Sequence, residues 1–102
     1  MFVVSDELHD ETAGEFSSLQ DAIEKVRHLA AIAWDHEPNR APCTSWRTCG
    51  RNYEIVEFDD STRPWREMRR LRAVEIDAAG IRWADGFAPG TDARLDSEQQ
   101  SW

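Results

Sequence analysis

The sequence is poor in several features, and each shortage excludes a class of protein. It has only two cysteines, Cys43 and Cys49, among 102 residues. Two thiols make no disulfide framework, and C-x5-C is not the redox C-x-x-C arrangement. In a reducing compartment both are expected to be free. The longest apolar run, Leu29 to Trp34, is six residues, against the roughly 20 that a membrane span requires. Met1-Phe2-Val3-Val4 runs straight into Asp6 and Glu7, without the basic start and long apolar stretch of a secretory signal. A soluble, cytoplasmic protein with no membrane partner is expected. Five scattered glycines assemble no phosphate cradle, and G-x-S-x-G and H-E-x-x-H are absent.

Lysine is scarce too. Eleven of the twelve basic residues are Arg, against 20 Asp and Glu, for a net charge of −8. That balance disfavours nonspecific binding to nucleic acid or to an anionic membrane. The charge is uneven. Residues 1–39 carry nine carboxylates against Lys25 and Arg27, and residues 83–102 carry four against Arg94. Residues 40–82 hold nine Arg against seven carboxylates, a mildly basic middle in an acidic chain.

What is present suffices for one core. The chain is 40% hydrophobic with ten aromatics, which argues against wholesale disorder. A domain of this length buries roughly two-thirds of its unfolded surface, leaving little room for a deep enclosed site. Phe2–Ser5 reads as a first strand, and Glu15-Phe16 as a short arm pairing back onto it. Ser17 and Ser18 are N-cap residues for a helix over about 18–34. Leu19, Ala22, Ile23, Val26, Leu29, Ala30 and Ala33 form its apolar stripe. Pro38 and Asn39 stop it. Thr44–Thr48 is rich in strand formers. Tyr53–Phe58 is a strand whose faces are not cleanly split, which a bulge or burial on both faces explains. Residues 65–70 read as a helical turn or the start of the next strand. Leu71–Asp77 and Ile81–Asp85 flank Ala78-Ala79-Gly80 as a hairpin.

The expected fold is therefore α+β: a two-layer domain over 1–85, with a flexible polar tail over 86–102. One amphipathic helix packs on a four- to six-stranded, mostly antiparallel sheet in the order β-(β)-α-β-β-β-β. The other sheet face then has no partner within the chain.

Gly14-Glu15-Phe16-Ser17-Ser18-Leu19-Gln20-Asp21-Ala22 resembles the strand-to-helix junction of small uncharacterised bacterial proteins of α-proteobacterial type. The resemblance covers about a tenth of the chain. It implies a hairpin feeding an amphipathic helix, and no catalytic residue transfers with it.

Four chemistries are conceivable from the residues. Thiol chemistry at Cys43 or Cys49 lacks a motif: a phosphatase loop needs Arg six residues after its Cys, where Cys49 and Ile55 stand. A small thiol-dependent enzyme or redox protein stays as an alternative, since Arg47 or Arg51 near a thiol would favour thiolate. His36, Cys43 and Cys49, with Asp35 or Glu37, would be the metal ligands, but their gaps do not match zinc spacings. No metal and no cofactor are expected. Asp35-His36-Glu37 and His9-Asp10-Glu11 put His beside carboxylates, although sequence neighbours point apart. No catalytic residue is assigned.

The Arg and Trp of the middle segment carry the leading expectation. Trp46, Arg47, Arg51, Trp65, Arg66, Arg82 and Trp83 combine aromatic and guanidinium groups, which dominate protein–protein hot spots. The reading is a non-catalytic interaction domain that meets a protein partner, or a second copy in a homodimer, through its open sheet face. A single-stranded nucleic-acid binder is the rival. It requires Arg69, Arg70, Arg72 and Arg82 on one face with an exposed Trp.

Overall fold

A computed structural model describes residues 1–90. Residues 91–102, most of the expected tail, lie outside the described residues. The chain is one α+β domain with elements β1 (Phe2–Asp6), β2 (Glu11–Phe16), α1 (Leu19–Ala30), β3 (Arg51–Asp59), β4 (Arg66–Asp77) and β5 (Gly80–Trp83). The strands form one antiparallel sheet in the order β2-β1-β3-β4-β5. No helix among the described residues is long and apolar enough to cross a membrane.

The helix begins as expected. Ser18 accepts the Asp21 N–H at 3.1 Å and satisfies one of the free first-turn donors. Ala22, Ile23, Val26, Leu29 and Ala30 are buried. They meet Val4, Tyr53, Ile55, Ala73, Val74 and Ile76 in one core cluster. The helix ends at Ala30, four residues before the expected stop. Asn39 caps this end: its buried amide donates to Leu29 O at 2.7 Å and Ile32 O at 2.8 Å. Leu29 O also accepts the Ile32 N–H at 3.1 Å, and the returning chain adds a second donor there.

The strand expected at Thr44–Thr48 does not form. Those residues are a series of turns, with Thr48 N–H on Ser45 O at 2.9 Å and Cys49 N–H on Trp46 O at 3.3 Å. The Thr48 hydroxyl also donates to Ser45 O. Local hydroxyl–backbone bonds compete here with strand pairing. Three strands, not four, thus follow the helix.

Residues 66–70 start β4. The ambiguous faces of β3 have both expected causes. Residues Tyr53 to Val56 are all buried, and the β3–β4 register shifts at Tyr53/Glu54 and at Glu57/Phe58. Gly80 turns the β4–β5 hairpin at φ +128°, a backbone region that suits glycine. Phe87 is 3% exposed within the core, and Arg27 donates to Phe87 O and Ala88 O. The packed chain therefore reaches past residue 85.

Candidate functional site

The site grows from the central pairing of β1 with β3. Because the two strands are antiparallel, the end of β1 lies beside the start of β3, with Asp6 opposite Tyr53. Asp6 is 1% exposed. Its Oδ1 accepts the N–H groups of Leu8 at 3.0 Å and Asn52 at 2.9 Å. Its Oδ2 meets Arg51 Nη1 at 2.9 Å and His9 Nδ1 at 2.6 Å. Burial would push this carboxyl up. The Arg51 fork, the two amides and His9 outweigh it and hold Asp6 below the usual aspartate range.

Arg51 was expected on a binding surface. It is instead 5% exposed, inside the domain. Besides Asp6 it donates to Glu11 Oε1 at 2.6 Å and to the carbonyls of Pro38, Asn39 and Arg40 at 2.9, 3.2 and 3.1 Å. One guanidinium thus ties the β1–β2 hairpin to the connection that leaves α1. Asn39, which caps the helix, accepts the Tyr53 hydroxyl at 3.0 Å in the same knot.

That connection carries both cysteines. Gly50, just before β3, passes so close to β4 that a Cβ there would collide with the backbone oxygen of Ile76. This close approach sets Cys49 against the β1–β2 turn. His9 sits in that turn, and its Nε2 lies 3.2 Å from Cys49 Sγ. The Cys43 sulfur is 3.4 Å from Ser45 Oγ. One ligand atom each from His9, Cys43 and Cys49 lies within 4.8 Å of the others. All three residues are half-buried, and both cysteines are free thiols.

The electrostatics of the trio are consistent. Burial lowers the proton affinity of His9, but its bond to Asp6 and its contact with Cys43 overcome this and raise its pKa. Cys43 is pushed down to about 6 by Ser45, then by His9 and Cys49. Cys49 is pushed up, by burial and then by Cys43. One sulfur is thus suited to the thiolate form and its neighbour to the thiol. Asp6 holds Nδ1 of His9, so Nε2 faces the sulfurs.

The metal set conceivable from the sequence includes His36. That residue is exposed and bonded to Asp35 at 2.9 Å, and the histidine that joins the cysteines is His9. The sequence carried no local signal for it, because His9 and Cys49 are 40 residues apart.

The seven Arg and Trp residues expected on one surface do not come together. Trp46 is half-buried against Trp34, with ring centroids 5.9 Å apart, and the guanidiniums of Arg40 and Arg47 lie over its ring at 5.0 and 4.7 Å. Trp65 packs on Phe58 at 5.9 Å, and its buried indole N–H finds no partner among the described residues. Exposed Arg66 pairs with Asp59 at 3.3 Å. Trp83 lies opposite Val74 and packs against the core on the helix side. Arg82 belongs to the open face, bonded to Glu75 at 3.0 Å and Asp77 at 2.6 Å.

The remaining β4 arginines divide between the faces. Arg70 reaches Glu54 at 2.5 Å and grips Glu67 at 2.7 and 3.0 Å on the open face, where Arg72 lies 3.8 Å from Glu7. Arg69 meets Glu57 at 2.7 Å, a residue that alternates with Glu54 to the other side of β3. Comparison with protein-family models, curated proteins and solved structures finds no significant match.

Proposed function

We propose that the protein is a small thiol–disulfide exchange module in which Cys43 attacks and Cys49 resolves. One observation carries the reading: two sulfurs converge on a histidine whose far nitrogen is fixed by a buried carboxylate. His9 Nε2 stands 3.2 Å from Cys49 Sγ and within 4.8 Å of Cys43 Sγ, so a base held by its orienting carboxylate is set beside both sulfurs, the arrangement that activates a thiol. Both cysteines are only half-buried, which leaves room for a disulfide to approach.

The exchange balances with a disulfide as oxidant. The Cys43 thiolate attacks one sulfur of the incoming disulfide, a mixed disulfide forms, and the other sulfur leaves as thiolate. Protonated His9 gives its proton to that leaving group. Its Nε2, now neutral and beside Cys49 Sγ, takes the Cys49 proton. The Cys49 thiolate then attacks the Cys43 sulfur, closing the Cys43–Cys49 bond and releasing the second thiolate, which His9 protonates. Two electrons pass from the dithiol to the partner disulfide. Closing the bond requires an S–S length of about 2.05 Å. The 43–49 loop has to give by no more than about 3 Å from the present spacing. Trp46 and Arg47 lie between the two cysteines and give this loop an aromatic, cationic rim suited to a protein partner.

The test is to react reduced, metal-free protein with oxidised glutathione, quench, and read the products by mass. Wild type is expected to end as the Cys43–Cys49 disulfide. Cys49→Ser is expected to stall as a mixed disulfide on Cys43, and Cys43→Ser to react far more slowly. Equal reactivity of the two single variants, with no intrachain disulfide in wild type, overturns the reading.

A further inference from the structure

We propose that the reduced site binds one soft divalent cation of the zinc class through His9 Nε2, Cys43 Sγ and Cys49 Sγ, leaving a fourth position open. The inference uses the same side chains as disulfide exchange but does not rest on it. A dithiol that exchanged with nothing would still present these donors.

The donor set comes first. Two sulfurs and an imidazole select zinc-like ions over magnesium or calcium, which prefer oxygen. Geometry is next. With metal–sulfur bonds of about 2.3 Å and metal–nitrogen bonds of about 2.0 Å, a tetrahedral site separates its ligand atoms by roughly 3.5–3.8 Å. The three atoms lie within 4.8 Å of one another, and Nε2 stands 3.2 Å from Cys49 Sγ. Shifts of about an ångström would bring them onto one ion.

The supporting shell is already built. A metal-bound histidine commonly gives its other N–H to a carboxylate, which fixes the ring and strengthens the ligand. Here that carboxylate is Asp6, itself immobilised by Arg51 and by the amides of Leu8 and Asn52. This arrangement is a second observation, independent of the cysteine pair. No further His, Cys, Asp or Glu joins the group among the described residues. Three protein ligands with one open position is the pattern of a reactive site, whereas structural sites close all four. The open position would take water, a small thiolate or a donor from a partner. An ion bound here would also pin the β1–β2 turn to the connection after α1. Its binding would oppose formation of the Cys43–Cys49 bond, because both use the same sulfur lone pairs.

The test is a titration of reduced protein with cobalt(II), followed by zinc. The expected result is a 1:1 complex with thiolate-to-cobalt absorption in the near ultraviolet and strong visible bands of a four-coordinate ion, both abolished by zinc. His9→Gln, Cys43→Ser and Cys49→Ser should each weaken binding by more than about 100-fold, beyond the 10–100-fold typical of outer-shell losses. His36→Gln should leave it unchanged. Amide spectra confirm that each variant is folded, and Cys43→Ser with Cys49→Ser together give a second line if His9→Gln is not. Absence of thiolate-to-cobalt absorption at millimolar cobalt overturns the proposal, as does binding that survives loss of both sulfurs. The glutathione experiment is scored separately, so exchange without metal binding and metal binding without exchange are distinguishable results.

Discussion

At the scale of single residues, Cys43 and Arg51 make opposite uses of charge. Cys43 sits at about 6, below a free thiol, because Ser45 and His9 favour its anion. A lower pKa supplies more thiolate but a weaker nucleophile. Against a free cysteine near 8.5, the thiolate fraction at pH 7 is about 30 times greater, yet the lost nucleophilicity cuts the net gain to about twofold. At pH 6 the same arithmetic leaves about tenfold. Alkylation of Cys43 in the metal-free wild-type protein, read residue by residue by mass, should therefore exceed that of a model thiol clearly at pH 6 and barely at pH 7. A rate that tracks the model thiol at both values rejects a depressed pKa. Arg51, by contrast, is a buried charge with every hydrogen bond satisfied inside the protein. Arg51→Met strands Asp6 without its cation and uncouples three carbonyls, which should cost about 3–5 kcal/mol in urea unfolding. Arg51→Lys should recover only part of this, since an ammonium cannot reproduce the planar fork.

The elements show what the sequence makes legible and what it hides. Period and caps are local properties, so the helix, the β1–β2 arm and the β4–β5 hairpin could be read from spacing alone. The helix end could not, because the side chain that caps it, Asn39, returns nine residues after Ala30. Asn39→Ala should remove the side-chain donor from Leu29 O, which keeps the Ile32 N–H, and from Ile32 O, and leave the Tyr53 hydroxyl without its acceptor. The expected loss is about 1–3 kcal/mol, with faster amide exchange confined first to the last turn of α1. Uniform exchange along the helix would show that Asn39 is no cap. Thr44–Thr48 misled for the converse reason: strand propensity describes fit to a pleated sheet, and among the described residues no strand pairs with this segment. The site was hidden for a third reason. Its members sit in a turn and a loop that meet only because β1 lies next to β3, and strand order is not written in any local pattern. Asp6 ending β1 and Cys49-Gly50 leading into Arg51 at the start of β3 were the available signal, once that pairing is known.

At the scale of the whole molecule, the acidic chain folds so that much of its arginine is matched internally. Arg66, Arg69, Arg70, Arg72 and Arg82 each have a carboxylate within 4 Å. On the open sheet face the pairs of Arg70, Arg72 and Arg82 make a lattice of paired charge beside Val3 and Val56, both buried. Two carboxylates within this fold respond to acid with opposite sign. Asp6 has a depressed pKa, so its contribution is present above the ordinary aspartate value of 3.8 and is lost as pH falls through the lower folded value. Glu54 has a raised pKa, since burial outweighs the attraction of Arg70. Its ionisation therefore burdens the folded state at neutral pH, and that burden disappears below the ordinary glutamate value of 4.5. Arg70 keeps its two bonds to Glu67 when Glu54 is neutralised. Glu54→Gln should then match or exceed wild-type stability at pH 7 by up to about 1 kcal/mol, converging on it near pH 4. Asp6→Asn should do the reverse, standing about 3–5 kcal/mol below wild type at pH 7 and approaching it as acid protonates Asp6. Urea midpoints of the three proteins from pH 7 to pH 3 decide the matter. If Glu54→Gln is clearly weaker at pH 7, the Glu54–Arg70 pair is worth more than its burial costs, and the open face is a stabilising network in its own right.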